Sequence, residues 1–114
     1  MEIRQSTDND AVVLELLGRL DELAAPEVQS AFTELVNHKT TRVVLDMAGV
    51  EYISSSGLRV LLMLFRALGK RQGQLKLCAL TPFVAEVFEV SNFATVFDIH
   101  PTRDEALRAF GEET

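Results

Sequence analysis

Residues 43–79 hold the pattern that most restricts what this chain can fold into. Val43-Val44-Leu45 and Leu75-Lys76-Leu77-Cys78-Ala79 are short, largely apolar runs without clean alternation, as in strands covered on both faces of a parallel sheet. Between them Leu58, Val60, Leu61, Leu62, Leu64, Phe65, Ala67 and Leu68 cover most of the circumference of a helix from about Gly57 to Arg71, which marks a well-buried helix. Strand, helix and strand in that order form a right-handed βαβ crossover, so the chain is an α/β protein.

The flanks extend this unit. Met1-Glu2-Ile3-Arg4-Gln5 alternates weakly, and Thr7-Asp8-Asn9-Asp10 is turn chemistry ahead of Val12-Val13-Leu14-Glu15-Leu16-Leu17, which predicts a β-hairpin ending near Gly18. Val28, Ala31, Phe32, Leu35 and Val36 then recur at helical spacing, with Pro26 tolerated in the first turn, over about Ala25 to Asn37. Thr81-Pro82 reads as an N-cap and first-turn pair for a third helix carrying Val84, Val87 and Phe88. A short strand around Val96 to Ile99 follows. Thr102-Arg103-Asp104-Glu105 matches a capping box before Ala106, Leu107 and Phe110, with Gly111 as the stop signal. The expected order is ββαβαβαβα: one mixed, mostly parallel sheet of about 4–5 strands packed by about 4 helices, in a single domain spanning residues 1–114.

Composition narrows the function. A net charge of −6 argues against nucleic acid as a partner, because phosphate backbones reward clustered Lys and Arg. The longest uninterrupted apolar run, Val60 to Phe65, is far shorter than the ~20 residues that span a bilayer, and the first residues lack a signal-peptide core. A cytoplasmic protein, monomeric when free, is expected. Cys78 is the only cysteine, so neither an intrachain disulfide nor a thiolate metal cluster can form.

Three consecutive hydroxyls, Ser54-Ser55-Ser56, precede Gly57 where the apolar helix begins. In open α/β sheets this strand-to-helix edge is where ligands and partners are met. One serine suffices to cap the free N–H groups of a first turn. The others lie where the positive end of the helix dipole favours an anion, so a phosphoserine is compatible with the turn. Placing residues at 100° intervals leaves one polar stripe, Arg59, Met63, Arg66 and Lys70, with Ser55 one turn before Arg59. An adaptable thioether among basic side chains on an acidic protein suits an acidic partner surface.

Catalysis has no candidate residues here. The serines lack a Gly-x-Ser-x-Gly elbow, and neither a Gly-Lys-Ser/Thr phosphate loop nor a His-Glu-x-x-His zinc pair occurs. His38 and His100 read as surface residues, and no cofactor or metal set can be assembled. Asp46 ends a central strand as in phospho-aspartate receivers, but Leu17-Gly18-Arg19 and Ile99-His100-Pro101 lack the acidic pair and lysine such sites need. Asp46 is therefore expected to organise a loop.

Asp46-Met47, a short loop and Tyr52-Ile53-Ser54-Ser55-Ser56-Gly57-Leu58-Arg59 resemble the signature of the STAS domain found in bacterial anti-sigma factor antagonists. Gly18-Arg19-Leu20-Asp21 resembles the family's Gly-x-Leu-Asp element, and Leu77-Cys78-Ala79-Leu80-Thr81-Pro82 its segment before the third helix. The resemblance implies partner switching. An unphosphorylated antagonist binds an anti-sigma factor that is also a serine kinase, phosphorylation ends the binding, and a serine phosphatase restores it. The phosphate acceptor of the family pattern falls on Ser55, with Ser56 and Ser54 as neighbouring candidates, and Asp21 matches an acidic residue beside it. Where the family has Asp before the acceptor, this sequence has Ser54. The implied partner surface is Asp21, Ser54, Ser55, Ser56, Gly57, Arg59, Met63 and Arg66. The same resemblance allows an alternative, an unphosphorylated STAS subunit of a membrane lipid-transport complex.

Overall fold

A computed structural model describes residues 1–112. Its order is β1 (Glu2–Asp8), β2 (Ala11–Leu20), α1 (Ala25–Asn37), β3 (Arg42–Ile53), α2 (Ser55–Gly69), β4 (Gln74–Cys78), α3 (Pro82–Val90), a short 3-10 turn (Phe93–Thr95), β5 (Asp98–His100) and α4 (Arg103–Glu112). The expected ββαβαβαβα order is therefore present, with five strands. The sheet runs β1-β2-β3-β4-β5; β1 pairs antiparallel with β2, and each later pair is parallel. Asn9 and Asp10 join the hairpin with φ of 48° and 69°, the left-handed pair that a two-residue turn matched to strand twist requires.

Each parallel strand is added on the same side of its predecessor, so successive right-handed crossovers all land on one face. The core follows that rule. Val28 and Phe32 of α1, Leu61 and Leu64 of α2, and Val84 and Phe88 of α3 join Leu14, Leu16, Leu45 and Leu77 in one cluster. Ala106 and Phe110 of α4 cover the opposite face over Ala11, Val13, Val44 and Cys78. Burial first, and the charge of Asp46 second, push the Cys78 thiol up to about 12, so it is an inert core group.

β3 corrects the sequence reading. The segment from Asp46 to Ile53, read as a loop, continues as strand because β2 also runs on past Gly18 and the two pair as far as Leu20 and Ile53. Gly18, at φ +119°, accommodates a register shift there that an L side chain would resist. Asp46 thus lies within the strand, buried at 8% exposure. Arg103 donates to its Oδ2 from Nε at 3.0 Å and Nη2 at 2.8 Å, and Ala48 N donates to Oδ1. The carboxylate anchors α4 to the sheet.

Helix ends bring further corrections. Thr81 has the extended backbone of a cap, but its hydroxyl donates to Val50 O at 3.0 Å and so ties α3 to β3. Thr102 does cap α4, accepting from Glu105 N at 3.1 Å. Gly111 does not stop that helix, which continues to Glu112. α2 begins two residues earlier than expected and ends at Gly69, because Ser54 rather than Ser56 takes the cap position. His38 is exposed, whereas His100 is a half-buried β5 residue with Nε2 3.0 Å from Asp98 Oδ1.

Asp98 also accepts from Lys76 Nζ at 2.6 Å, beneath the Phe110 ring, 4.9 Å from that ammonium. Burial is the largest single influence on the Asp98 carboxyl and raises it. The hydrogen bonds and charges of Lys76 and His100 together outweigh burial and hold it below the ordinary carboxylate range. A depressed folded-state value means that this stabilisation is complete above the unfolded value of about 3.9 and is lost as pH falls through the folded one. Asp98→Asn is therefore expected to lower the urea midpoint at pH 7, and the gap to wild type should narrow in titrations taken below about pH 4. A gap that stays constant down to pH 2.5 would remove Asp98 as its source.

Candidate functional site

The three serines divide into distinct roles. Ser54 has extended backbone, φ −99° and ψ 175°, and its Oγ accepts from Gly57 N at 3.2 Å. Its amide donates to Leu20 O at 3.0 Å, so the residue both caps α2 and bonds the end of β2. Ser55 is the first helical residue; its side chain is exposed and makes no hydrogen bond among the described residues. Ser56 is half-buried. No acidic side chain occupies the first turn, so the positive end of the helix is left without a carboxylate.

Gly57 belongs to the turn for a steric reason. A Cβ there would sit 2.5 Å from Leu20 O and 2.8 Å from Leu20 Cγ, closer than any contact can be held. The residue is buried, so it serves the expected partner surface by shaping the backbone and offers no surface of its own. That close approach brings the start of α2 against the last residue of β2.

Asp21 follows directly. The Leu20–Ile53 pairing makes Asp21 and Ser54 the next residues of adjacent strands. Asp21 Oδ1 accepts from Leu23 N and Ala24 N, both at 3.1 Å, and so fixes the turn that leads into α1, while its Oδ2 lies 3.8 Å from Arg19 Nε. Its structural role at the helix entry is thus realised, at the same edge as the serines. Along α2 the stripe Arg59, Met63, Arg66 and Lys70 is exposed throughout, as the 100° periodicity predicts, with Met63 at 43%.

One cluster at this edge escaped the sequence reading. The Arg19 guanidinium lies over the Tyr52 ring, 4.2 Å from its centroid, and Tyr52 stacks on Phe83 at 5.8 Å and 21°. Phe83 is 48% exposed and Leu23, on the neighbouring connection, 87%. The signal was present for Phe83, which lies off the Val84, Val87 and Phe88 stripe of α3. Nothing in the local sequence indicates that Tyr52 would meet it.

Chemically, the turn offers an exposed primary hydroxyl at a dipole end that tolerates a dianion. Ser55 has no hydrogen-bonded base among the described residues that would activate it as a nucleophile. No cluster of His, Cys, Asp or Glu among the described residues is arranged to hold a metal, and no described helix is long and apolar enough to cross a membrane.

Residues 2–106 match the STAS domain profile. The chain belongs to the STAS domain family. A Bordetella bronchiseptica STAS relative that carries the name anti-sigma factor antagonist BtrV is 40% identical over 95 residues, covering 83% of this chain and 82% of that one. The solved anti-sigma-factor antagonist (STAS) domain protein of Planctomyces limnophilus is 27% identical, with a TM-score of 0.87 over 96% of this chain and 97% of its own. The Bacillus cell fate determinant SpoIIAA in its phosphorylated form, at 21% identity, has the same fold, with a TM-score of 0.74 over 96% and 99% of the two chains. These relatives carry the names of regulators, not of enzymes.

The division of labour among the serines has measurable consequences. Ser54→Ala is expected to cost about 1 kcal/mol, the usual worth of an N-cap, whereas Ser55→Ala should stay within about 0.5 kcal/mol of wild type. Gly57→Ala, which forces backbone against Cβ, should cost roughly 2 kcal/mol or more. Urea denaturation of the three variants checks the order; equal losses for Ser54→Ala and Ser55→Ala would contradict the capping assignment.

Proposed function

We propose that this STAS domain is a cytoplasmic anti-sigma factor antagonist that changes partners through phosphorylation of Ser55. The observation that carries the reading is the separation of roles in the serine turn. Ser54 is committed to the cap, and Ser55 is left exposed and unbonded at the head of the Arg59-Met63-Arg66 stripe. Loss of the family's aspartate to Ser54 therefore leaves the neighbouring acceptor intact, since a serine caps as well as an aspartate does. Ser56, half-buried in the same turn, is the less accessible hydroxyl.

In its unphosphorylated form the domain binds an anti-sigma factor that is also a serine kinase. The contact surface is Asp21, Ser54, Ser55 and Ser56 at the sheet edge with Arg59, Met63 and Arg66 along α2. The names of its relatives, BtrV among them, support this partner class. A phosphate on Ser55 adds about −1.5 to −2 charges to that surface. Burying it without a counter-charge costs a few kcal/mol, and about 3 kcal/mol is already more than a hundredfold in affinity. The phosphorylated chain is then released, and a serine phosphatase returns it to the binding form.

Incubation with the kinase and ATP followed by intact-mass analysis and site mapping tests the modification directly; one phosphate on Ser55 is expected. Ser55→Ala should bind the kinase as tightly as wild type yet take up no phosphate, and Ser55→Asp should bind at least tenfold more weakly. Equal binding of wild type and Ser55→Asp would sink the switch. Met63→Glu is expected to weaken association tenfold or more with an unchanged circular dichroism spectrum; unaltered affinity would remove Met63 from the contact.

A further inference from the structure

α1 and α2 lie side by side on the same sheet face, and between them is an unfilled slot of about 120 Å³. Val60 and Leu64 of α2 and Phe32 of α1 form its buried base, while Val36, Met63 and Ala67 form partly open walls. Gln29 and Thr33 close its α1 rim with neutral, exposed side chains. An apolar cavity near 150 Å³ accepts a benzene-sized group, so this smaller, half-open slot suits an aliphatic side chain of about leucine size.

The slot opens along α2 into a second depression that shares Val36, Met63 and Ala67 and adds Arg66, Lys70 and Arg71. That basic rim is exceptional on this chain. Arg59, Arg66, Lys70 and Arg71 are four of its 11 Lys and Arg residues, no acidic residue occurs between Glu51 and Glu86, and the net charge is nevertheless −6. The 17 acidic residues face only seven other Lys and Arg (11 less these four), so the α2 stripe is the basic stretch best suited to an acidic partner.

We infer that the α1–α2 slot receives a single aliphatic side chain, a leucine, flanked by acidic residues on the surface of the partner kinase. The inference rests on the partner reading above and adds α1 to the contact, through Phe32, Thr33 and Val36. A buried apolar anchor ringed by charge has the form of an interface hot spot. Met63 sits eight residues beyond Ser55 on one helix, about 12 Å along its axis. An anchored partner therefore also reaches the phosphate acceptor, and the slot gives the contact a fixed register relative to Ser55.

The test combines the purified kinase with a defined peptide. Thr33→Phe, which plugs the slot from its exposed rim, and Ala67→Leu, which fills it from α2, should each raise the Kd for the kinase at least tenfold. Their circular dichroism and thermal midpoints should stay close to wild type. Arg66→Glu should slow association and flatten its dependence on salt. In the second arm, the acetylated peptide Glu-Glu-Leu-Glu-Glu should shift the NMR signals of Val36, Met63 and Ala67 at millimolar concentration, and the same peptide with Ala in place of Leu should not.

Unchanged Kd for both filling variants, or equal shifts from the two peptides, would overturn the inference. So would loss of self-association in Thr33→Phe with kinase binding intact, which makes the occupant a second copy of this chain. Failure of the wild-type chain to bind the kinase, or Ser55→Asp binding as well as wild type, overturns the partner-switching reading instead. The peptide arm then still decides the slot.

Discussion

The contact on which the rest of the structure depends is the approach of α2 to the end of β2. A Cβ at Gly57 would lie 2.5 Å from Leu20 O, and the same carbonyl accepts from Ser54 N. Only glycine lets the first turn of the helix press onto the strand this closely. Because Leu20 and Ile53 are paired neighbours, the approach puts the serine turn beside Asp21, which fixes the turn into α1 with its own carboxylate. One backbone contact thus determines where both helices begin and which hydroxyl is left over.

Sheet topology then decides what surrounds that turn. Strands added in sequence order on one side send α1, α2 and α3 to a single face. α2 buries Leu58, Val60, Leu61, Leu64 and Leu68, while the stripe from Ser55 to Lys70, with Phe65 beside it, remains outside. The opposite face has a single cover, α4, fastened by the Arg103–Asp46 ion pair and by Phe110 over the buried Lys76. Because Asp46 is almost fully buried while Arg103 is partly exposed and also reaches Glu15, that pair is a requirement of the arrangement more than a source of stability: removing Arg103 strands the Asp46 carboxylate in low dielectric. The serine turn with the α2 stripe and the structural fastening of α4 thereby lie on different faces of one sheet.

The order of elements and the bounds of α1 were legible in the sequence because helical periodicity is a local signal, repeated over three or more turns. The α2 stripe was legible for the same reason: Arg59, Met63, Arg66 and Lys70 recur on one line wherever the helix is placed. β3 was read as ending at Asp46 because Ala48 and Gly49 look like a turn in isolation, whereas the strand runs on to Ile53. The strand conformation of residues 46–53 is imposed by pairing with β2 from Glu15 to Leu20. Gly111 failed as a stop signal, and Thr81, though it stands at the cap position of α3, does not cap it with its hydroxyl. A glycine at a helix end does not oblige the helix to stop, and a threonine hydroxyl prefers a neighbouring strand carbonyl when tertiary structure supplies one.

What the sequence determined by itself was whatever depends on residues near one another along the chain: helix faces, the hairpin turn, an N-terminal turn holding three hydroxyls, and a family pattern around them. What only the tertiary structure decided was how those hydroxyls are spent. Ser54, Ser55 and Ser56 are chemically identical, and the choice among them rests on Leu20, 34 residues earlier than Ser54, whose carbonyl holds Ser54 in the cap position. The same holds for the Arg19-Tyr52-Phe83 stack and the α1–α2 slot, each assembled from segments far apart in sequence. Local propensity places three serines at a helix start; only the packing of α2 on β2 leaves the Ser55 hydroxyl exposed and unbonded among the described residues.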